Sequence, residues 1–527
     1  MTSLKTSLVP ETPADLGLPF KEWRPYQREM VERIVSSTKH VFMCELPVGA
    51  GKSLIGVASA RLMGLRAAYL AYSRQLTQQL HDDFPDAFIM SGRINFPCRR
   101  FNFPCLGCER DCQGCQVPIY ISADDCSKDD CLVKASCAYE RAKRRALSAD
   151  LAVMPQSYFI HEANFAGSFS GAPFLVVDEA QRVEEVLLDF ISVRLTARQL
   201  EALSIELPRY KTRFEAWKDW AEETLVKVSR REDELKATFT SQTQKNWPSW
   251  REYLRLGRLT SKLDLFLHSV DEHWLFNPGE TAWEFKPTWL RGLAQKFLWE
   301  HSPKVLALSA SFLSPETWAW EMGVDDWDYA RAPSNFPKEN RPIYYIPCGD
   351  MSKNNLEASL PEVVSTLDAL MELHPEERGI IHCVTYKERD FILSHSAHKD
   401  RLLSHNETDR SKVIEQFFSS TTPAVLVSPS VMEGLDAKYD RAKWQVLTKL
   451  CFPDLGDPQI RKRRFSGKLG REWYTIACAR KLVQMYGRIC RAEDDRGNVT
   501  YILDSRFPRF VSEMKEVLPQ WFLEAIE

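Results

Sequence analysis

A chain of 527 residues, 44% of them hydrophobic, is longer than one ordinary core can organise, so two or more domains are expected on one polypeptide. A net charge of −3 excludes a wholly basic exterior, and any nucleic-acid surface has to be a local groove. The first residues carry no basic stretch followed by an apolar one, and no later run reaches the roughly 18 apolar residues that a bilayer span requires; a soluble intracellular protein is expected.

Short apolar runs with strand character recur at residues 40–46, 67–72, 174–180, 304–311, 378–386, 424–430, 444–450 and 500–504, most of them followed by a turn and a helical pattern. That alternation predicts an α/β fold in which helices wrap parallel sheets. Two series are visible, one ending near Ser311 and one running from about Arg341 onward. Two stretches interrupt the first series: a cysteine-rich segment, 92–142, and a segment rich in Trp, Leu, Glu, Lys and Arg at helical spacing, 186–285, expected to be mostly helical. The first lobe is therefore expected to comprise 1–91, 143–185 and 286–330, and the second 331–527, with the Ala332–Pro337 passage between them.

Leu46-Pro47-Val48-Gly49-Ala50-Gly51-Lys52-Ser53 follows an apolar strand and opens a helical stretch, the context of a phosphate loop. Glycines let the backbone curl so that its N–H groups face phosphates, Lys52 neutralises charge at the β and γ positions, and Ser53 takes Mg²⁺. Leu46 stands where the pattern has its first glycine. Phe174–Val177 then delivers Asp178 and Glu179 at the end of a strand, the first to hold Mg²⁺ through water and the second to orient and deprotonate an attacking water. Far along the chain, Gln484-Met485-Tyr486-Gly487-Arg488-Ile489-Cys490-Arg491 sets Arg488 and Arg491 three residues apart, expected on one helix face and able to reach a γ-phosphate across a cleft. Together these segments point to an ATPase.

In this order the motifs resemble the superfamily 2 helicases, particularly the iron–sulfur XPD and DinG branch, over nearly the whole chain. The resemblance implies two RecA-like motor domains, the first carrying a metal-cluster insert and an arch-like helical insert. Trp23–Met30 looks like the adenine-reading segment, with Arg24 and Gln27 at the matching positions, and the nucleotide site would comprise these with Pro47, Gly49, Gly51, Lys52 and Ser53. Ala71–Leu80, with Arg74 and Gln75, is similar to the motif that touches the DNA backbone, and Leu308-Ser309-Ala310-Ser311 stands at the family's SAT coupling motif. Gly379–Tyr386, with Thr385 and Tyr386, resembles the fourth motif, and Ser428–Asp436 the EGxD motif that links ATP to DNA through Glu433, Gly434 and Asp436. Gln484, Arg488 and Arg491 form the sixth and join Lys52, Ser53, Asp178 and Glu179 as catalytic groups. Gln181 replaces the histidine of the DEAH box and Ser311 the threonine of SAT, which puts the coupling between nucleotide and DNA sites in question.

Eight of the 14 cysteines fall between Cys98 and Cys137, a density that points to metal in an intracellular chain. Cys98, Cys126, Cys131 and Cys137 are similar to the DinG-type ligand set for a [4Fe–4S] cluster. Cys105-x2-Cys108-x3-Cys112-x2-Cys115 reads as a Zn²⁺ site, although the same spacing could bind the cluster and leave the other set for zinc. The resemblance further implies single-stranded and forked DNA as partners, 5′ to 3′ travel, a monomer, and a cytoplasmic or nucleoid-associated place. Arg74, Arg93, Arg141 and the Arg461-Lys462-Arg463-Arg464 run are candidates to grip DNA phosphates. Two other classes of function stay open: an ATP-gated clamp on single strands that separates no duplex, and an RNA-directed ATPase.

Overall fold

The computed structural model describes residues 8–92, 95–96, 137–238, 247–334, 336–406, 408–429, 437, 439–490 and 494–527. In chain order its strands are β1 (Val41–Glu45), β2 (Ala67–Ala71), β3 (Phe88–Ile89), β4 (Leu151–Pro155), β5 (Phe174–Val177), β6 (Val193–Thr196), β7 (Trp274–Pro278), β8 (Ala282–Pro287), β9 (Val305–Ser309), β10 (Trp327–Arg331), β11 (Ile343–Tyr345), β12 (Gly379–His382), β13 (Leu402–Ser404), β14 (Val425–Ser428), β15 (Trp444–Leu447) and β16 (Val499–Ile502).

Two parallel sheets carry the two lobes, in the orders β10-β1-β9-β5-β2-β4-β3 and β11-β16-β15-β12-β14-β13. Strands such as Val41–Glu45 and Val305–Ser309 are buried at every position, which explains why they read as continuous apolar runs rather than as alternating ones. Helices cover both faces, because each parallel connection has to cross over the sheet. β1, β9 and β5 are neighbours, so the phosphate loop, the Ser309–Ser311 segment and the acidic pair emerge side by side at one sheet edge. Open parallel sheets bind ligands at that carboxyl edge.

The first sheet does not end near Ser311 as expected: β10 pairs in parallel with β1 and carries the sheet to Arg331. Its sequence, Trp-Asp-Tyr-Ala-Arg, alternates rather than running apolar, since it lies at the sheet's edge. The segment between β5 and β9 is not wholly helical either. Two long helices, Phe214–Thr238 and Trp247–Leu267, pack together, but β6, β8 and β7 form an antiparallel sheet beside them. Phe285 of β8 stacks on Trp220 and on Phe276, with ring centroids 4.8 Å and 4.3 Å away, which joins these helices to the small sheet. Among the described residues no helix is long and apolar enough to cross a membrane.

Candidate nucleotide site and interlobe cleft

After β1 the chain turns through Gly49 and Gly51, whose φ angles of +84° and +77° suit residues without a Cβ, and enters the helix Lys52–Met63. Leu46 needs no such freedom: it still belongs to the sheet, donating its N–H to the Ser309 carbonyl at 2.9 Å. Arg24 and Gln27 brace the loop from behind. The Arg24 guanidinium donates to the Gly49 carbonyl (2.7 Å), and the buried Gln27 amide donates to the carbonyls of Ala50 (2.9 Å) and Gly51 (3.2 Å). Bracing at its carbonyls fixes the curl of the loop, the form in which the backbone N–H groups of such loops receive an anion.

Lys52 Nζ lies 3.6 Å from Glu179 Oε1. Asp178 is buried, and burial, reinforced by the Glu179 charge and opposed by Lys52, pushes its carboxyl up to about 6. Its Oδ1 accepts the Glu179 N–H at 2.9 Å and its Oδ2 the Tyr69 hydroxyl at 3.1 Å. A desolvated carboxylate at the edge where the phosphate loop emerges is an oxygen donor suited to a small divalent cation.

From Glu179 a chain of hydrogen bonds leads out of the first lobe. Gln181 Nε2 donates to Glu179 Oε2 (2.5 Å), Ser309 Oγ donates to Gln181 Oε1 (2.5 Å), Ser309 Oγ accepts the Ser311 N–H (2.9 Å), and Gln484 Nε2 of the second lobe donates to Ser311 Oγ (3.0 Å). Both departures noted in the sequence, Gln181 and Ser311, are thus members of one relay. Gln181 donates at one end of its amide and accepts at the other, as a neutral histidine does with its two ring nitrogens.

Gln484 lies on the helix Lys468–Tyr486, whose end abuts the phosphate loop: a Cβ on Gly487 would sit 3.1 Å from Val48 Cγ2. Pro47 and Val48 line a small cavity there with Phe336, Arg341, Tyr486 and Gly487. Arg488 is in the turn that follows the helix, not on a helix face as expected, because the helix stops at Tyr486. Beneath it His382 is kept neutral, its pKa lowered to about 4 by burial despite a hydrogen bond to Gln445, with Arg488 adding to the shift.

A second interlobe contact was not foreseen. Arg463 is 2% exposed; its guanidinium pairs with Glu184, donates to the Thr288 carbonyl (2.5 Å), and lies over the rings of Trp289 (4.8 Å) and Trp473 (4.9 Å). Glu321, 1% exposed, accepts from Trp473 Nε1 at 2.6 Å and lies 3.6 Å from Arg480 Nη1. Burial and the adjoining Glu184 push Glu321 well above the usual carboxylate range, while Glu184, against its own burial, is held low by Arg463. Arg463 therefore does not grip DNA as expected of the Arg461–Arg464 run; of its neighbours, Arg461 and Lys462 remain exposed. Leu313, just past the Ser309–Ser311 segment, also crosses over and packs into the second lobe's core with Leu447 and Ile476.

A family model described as a helicase C-terminal domain matches residues 370–525. A Haemophilus influenzae protein named ATP-dependent DNA helicase YoaA is 23% identical over 448 residues, spanning 73% of this chain and 68% of that one. Its Escherichia coli namesake is 21% identical over 445 residues, with the same two shares of 73% and 68%. In fold the chain is similar to a solved XPD helicase, with a TM-score of 0.64 at 13% identity over 93% of this chain and 98% of that one. Xpd4 of S. tokodaii superposes with a TM-score of 0.59 at 12% identity, over 96% and 99% of the two chains. In sequence the chain is thus similar to these helicases and in fold to XPD, the family that its motifs resemble.

The other positions expected from this family divide by what the structure describes. Ser73 caps the helix Arg74–Asp83 through the Leu76 N–H, which sets the backbone of Arg74 and Gln75 at a helix N-terminus. Thr385 caps the helix Tyr386–His395 by accepting the Glu388 N–H at 3.2 Å, and Tyr386, 47% exposed, has the Arg389 guanidinium 4.7 Å from its ring centroid. Arg141 is exposed. Cys137, half-buried, precedes the helix Ala138–Ser148 and packs against the first lobe's core. Arg93, Glu433, Gly434, Asp436, Arg491 and the cysteines at 98, 105, 108, 112, 115, 126 and 131 lie outside the described residues. Tyr69, Leu313 and Glu321 were missed in the sequence; of these only Tyr69 left a signal, a hydroxyl within an otherwise apolar strand.

Proposed function

We propose that this protein is an ATP-driven DNA helicase that hydrolyses ATP with Mg²⁺ in the cleft between its lobes, moves 5′ to 3′ along single-stranded DNA and separates duplexes. The observation that carries this reading is the relay from Glu179 through Gln181, Ser309 and Ser311 to Gln484, which ties the group that would activate water to the opposite lobe. The names borne by the YoaA relatives agree with it.

Ser53 and Asp178 would hold Mg²⁺, which supplies charge neutralisation at the β- and γ-phosphate oxygens. The loop N–H groups and Lys52 bind the phosphates, Glu179 orients the attacking water and takes its proton, and Arg488 and Arg491 meet the γ-phosphate from the second lobe. Arg24 and Gln27 hold the loop and border the base; Glu433, Gly434 and Asp436 connect the nucleotide to DNA. Arg74, Gln75, Arg93, Thr385 and Tyr386 line the strand's path, the last with an exposed ring suited to base stacking. Cys98, Cys126, Cys131 and Cys137 would ligate a [4Fe–4S] cluster, as the resemblance implies, and Cys105, Cys108, Cys112 and Cys115 a Zn²⁺, for which their double CxxC spacing speaks; the reverse assignment is the alternative.

Purified protein should hydrolyse ATP faster with single-stranded DNA than with RNA and displace the strand of a 5′-tailed duplex, with Lys52→Ala abolishing both activities. ATPase without displacement identifies a clamp, and preferential stimulation by RNA identifies an RNA-directed motor. Either result overturns the helicase reading.

A further inference from the structure

We infer that Tyr69 is a positioning residue for the metal-binding carboxylate of the nucleotide site: its phenol holds Asp178 and sets the direction in which that side chain presents its oxygens. The inference rests on the ATPase reading above and adds a residue to it.

Tyr69 is in β2, paired in register with Val176 of β5, so its side chain lies one residue pair from the end of the strand that delivers Asp178. It is fully buried, and its hydroxyl donates to Asp178 Oδ2 at 3.1 Å. A phenol has one proton to give and lone pairs to accept with. That proton is directed to Asp178 Oδ2, which fixes how the carboxylate is turned and leaves its remaining lone pairs for the cleft, where a cation would be met.

Asp178 is fixed as tightly on its other sides. Its Oδ1 accepts the Glu179 N–H (2.9 Å), its carbonyl accepts Gln156 Nε2 (2.7 Å), and its N–H donates to the Leu70 carbonyl (3.0 Å). The phenol is what orients Oδ2. Packing alone does not demand this hydroxyl, since the ring is accommodated by Gly56, where a Cβ would come within 3.0 Å of Tyr69 Cε2 and of Val176 Cγ1. A phenylalanine would fill the same space, whereas a buried hydroxyl is tolerated only where it finds partners. Here its partner is the carboxylate that meets the cation.

The test is Tyr69→Phe in the full-length protein, read by fluorescence of a methylanthraniloyl-labelled ATP while Mg²⁺ is titrated. The Mg²⁺ concentration for half-maximal nucleotide binding is expected to rise roughly three- to ten-fold, the scale of one lost hydrogen bond, with nucleotide binding in EDTA unchanged. On an Asp178→Asn background Tyr69→Phe is expected to have no further effect, because the oriented carboxylate is already gone. A wild-type Mg²⁺ profile in Tyr69→Phe, or full additivity on the Asp178→Asn background, overturns the inference while leaving the ATPase reading intact. A wild-type protein that binds no nucleotide with Mg²⁺ overturns both.

Discussion

Among the described residues, two of the contacts between the lobes are made of opposite materials. At the nucleotide end the contact is a string of neutral amides and hydroxyls, ending in Gln484 and Ser311, beside the close approach of Gly487 to Val48. At the other end a fully buried arginine is inserted between carboxylates and indole rings, with Lys286 and Asp457 paired beside it at 2.9 Å. A neutral hydrogen bond contributes on the order of 1 kcal/mol net, whereas removing one partner of a buried ion pair costs roughly 3–5 kcal/mol, since the other charge is left without solvent or partner. The ion cluster is therefore the contact more sensitive to the loss of one side chain, and a motor that opens at its nucleotide site while the cluster holds is the prediction this contrast makes.

The two regions are nevertheless joined through the chain. The helix Lys468–Tyr486 carries Trp473 and Arg480 of the cluster and Gln484 of the relay, while Glu184 follows Glu179 by one short turn and the start of a helix. A rotation about the cluster is thus transmitted to Glu179 along both routes.

The strongest way to break this contrast is Arg463→Met. It should lower stability by about 3–5 kcal/mol, measured by urea unfolding, because Glu184 loses its buried partner. A loss under about 1 kcal/mol would mean that the cluster does not join the lobes.

Next comes Glu321→Gln. A carboxyl whose pKa is raised in the folded state contributes stability that is fully present below its unfolded value and is lost as pH rises through its folded value. Wild-type protein should therefore lose melting temperature as pH climbs above the usual carboxylate range toward alkaline values, and Glu321→Gln should lose less. Parallel slopes in the two proteins would remove Glu321 from the cluster's proton balance.

The smallest effect on stability belongs to the relay. Gln484→Ala should cost about 1 kcal/mol in urea yet reduce DNA-stimulated ATPase several-fold more than the DNA-free rate. An equal reduction in both rates would make Gln484 a hydrolytic group only.

The phosphate loop, the acidic pair and the strands that deliver them were legible because each is specified by neighbouring residues: an apolar run, then glycines or carboxylates. Arg463 was not, because Arg461-Lys462-Arg463-Arg464 has the composition of a solvated or DNA-facing run, and only the tertiary fold selects one of the four for burial. β3, β11 and β13 escaped notice because strands of two or three residues leave no periodic pattern. The helix end at Tyr486 was misjudged for another reason: the chain turns at Gly487, where it packs closely against Val48 of the other lobe, while the arginine spacing invites the helix to continue.

The difference between the two contacts can be measured directly by placing one fluorescence pair across the Ser311–Gln484 mouth and another across the Lys286–Asp457 contact, each followed during ATP turnover with single-stranded DNA. The first distance should shorten on ATP binding and lengthen after hydrolysis while the second stays constant. Equal changes at both ends, or none at the mouth, would contradict a motor that opens at its nucleotide site and is held at its ion cluster.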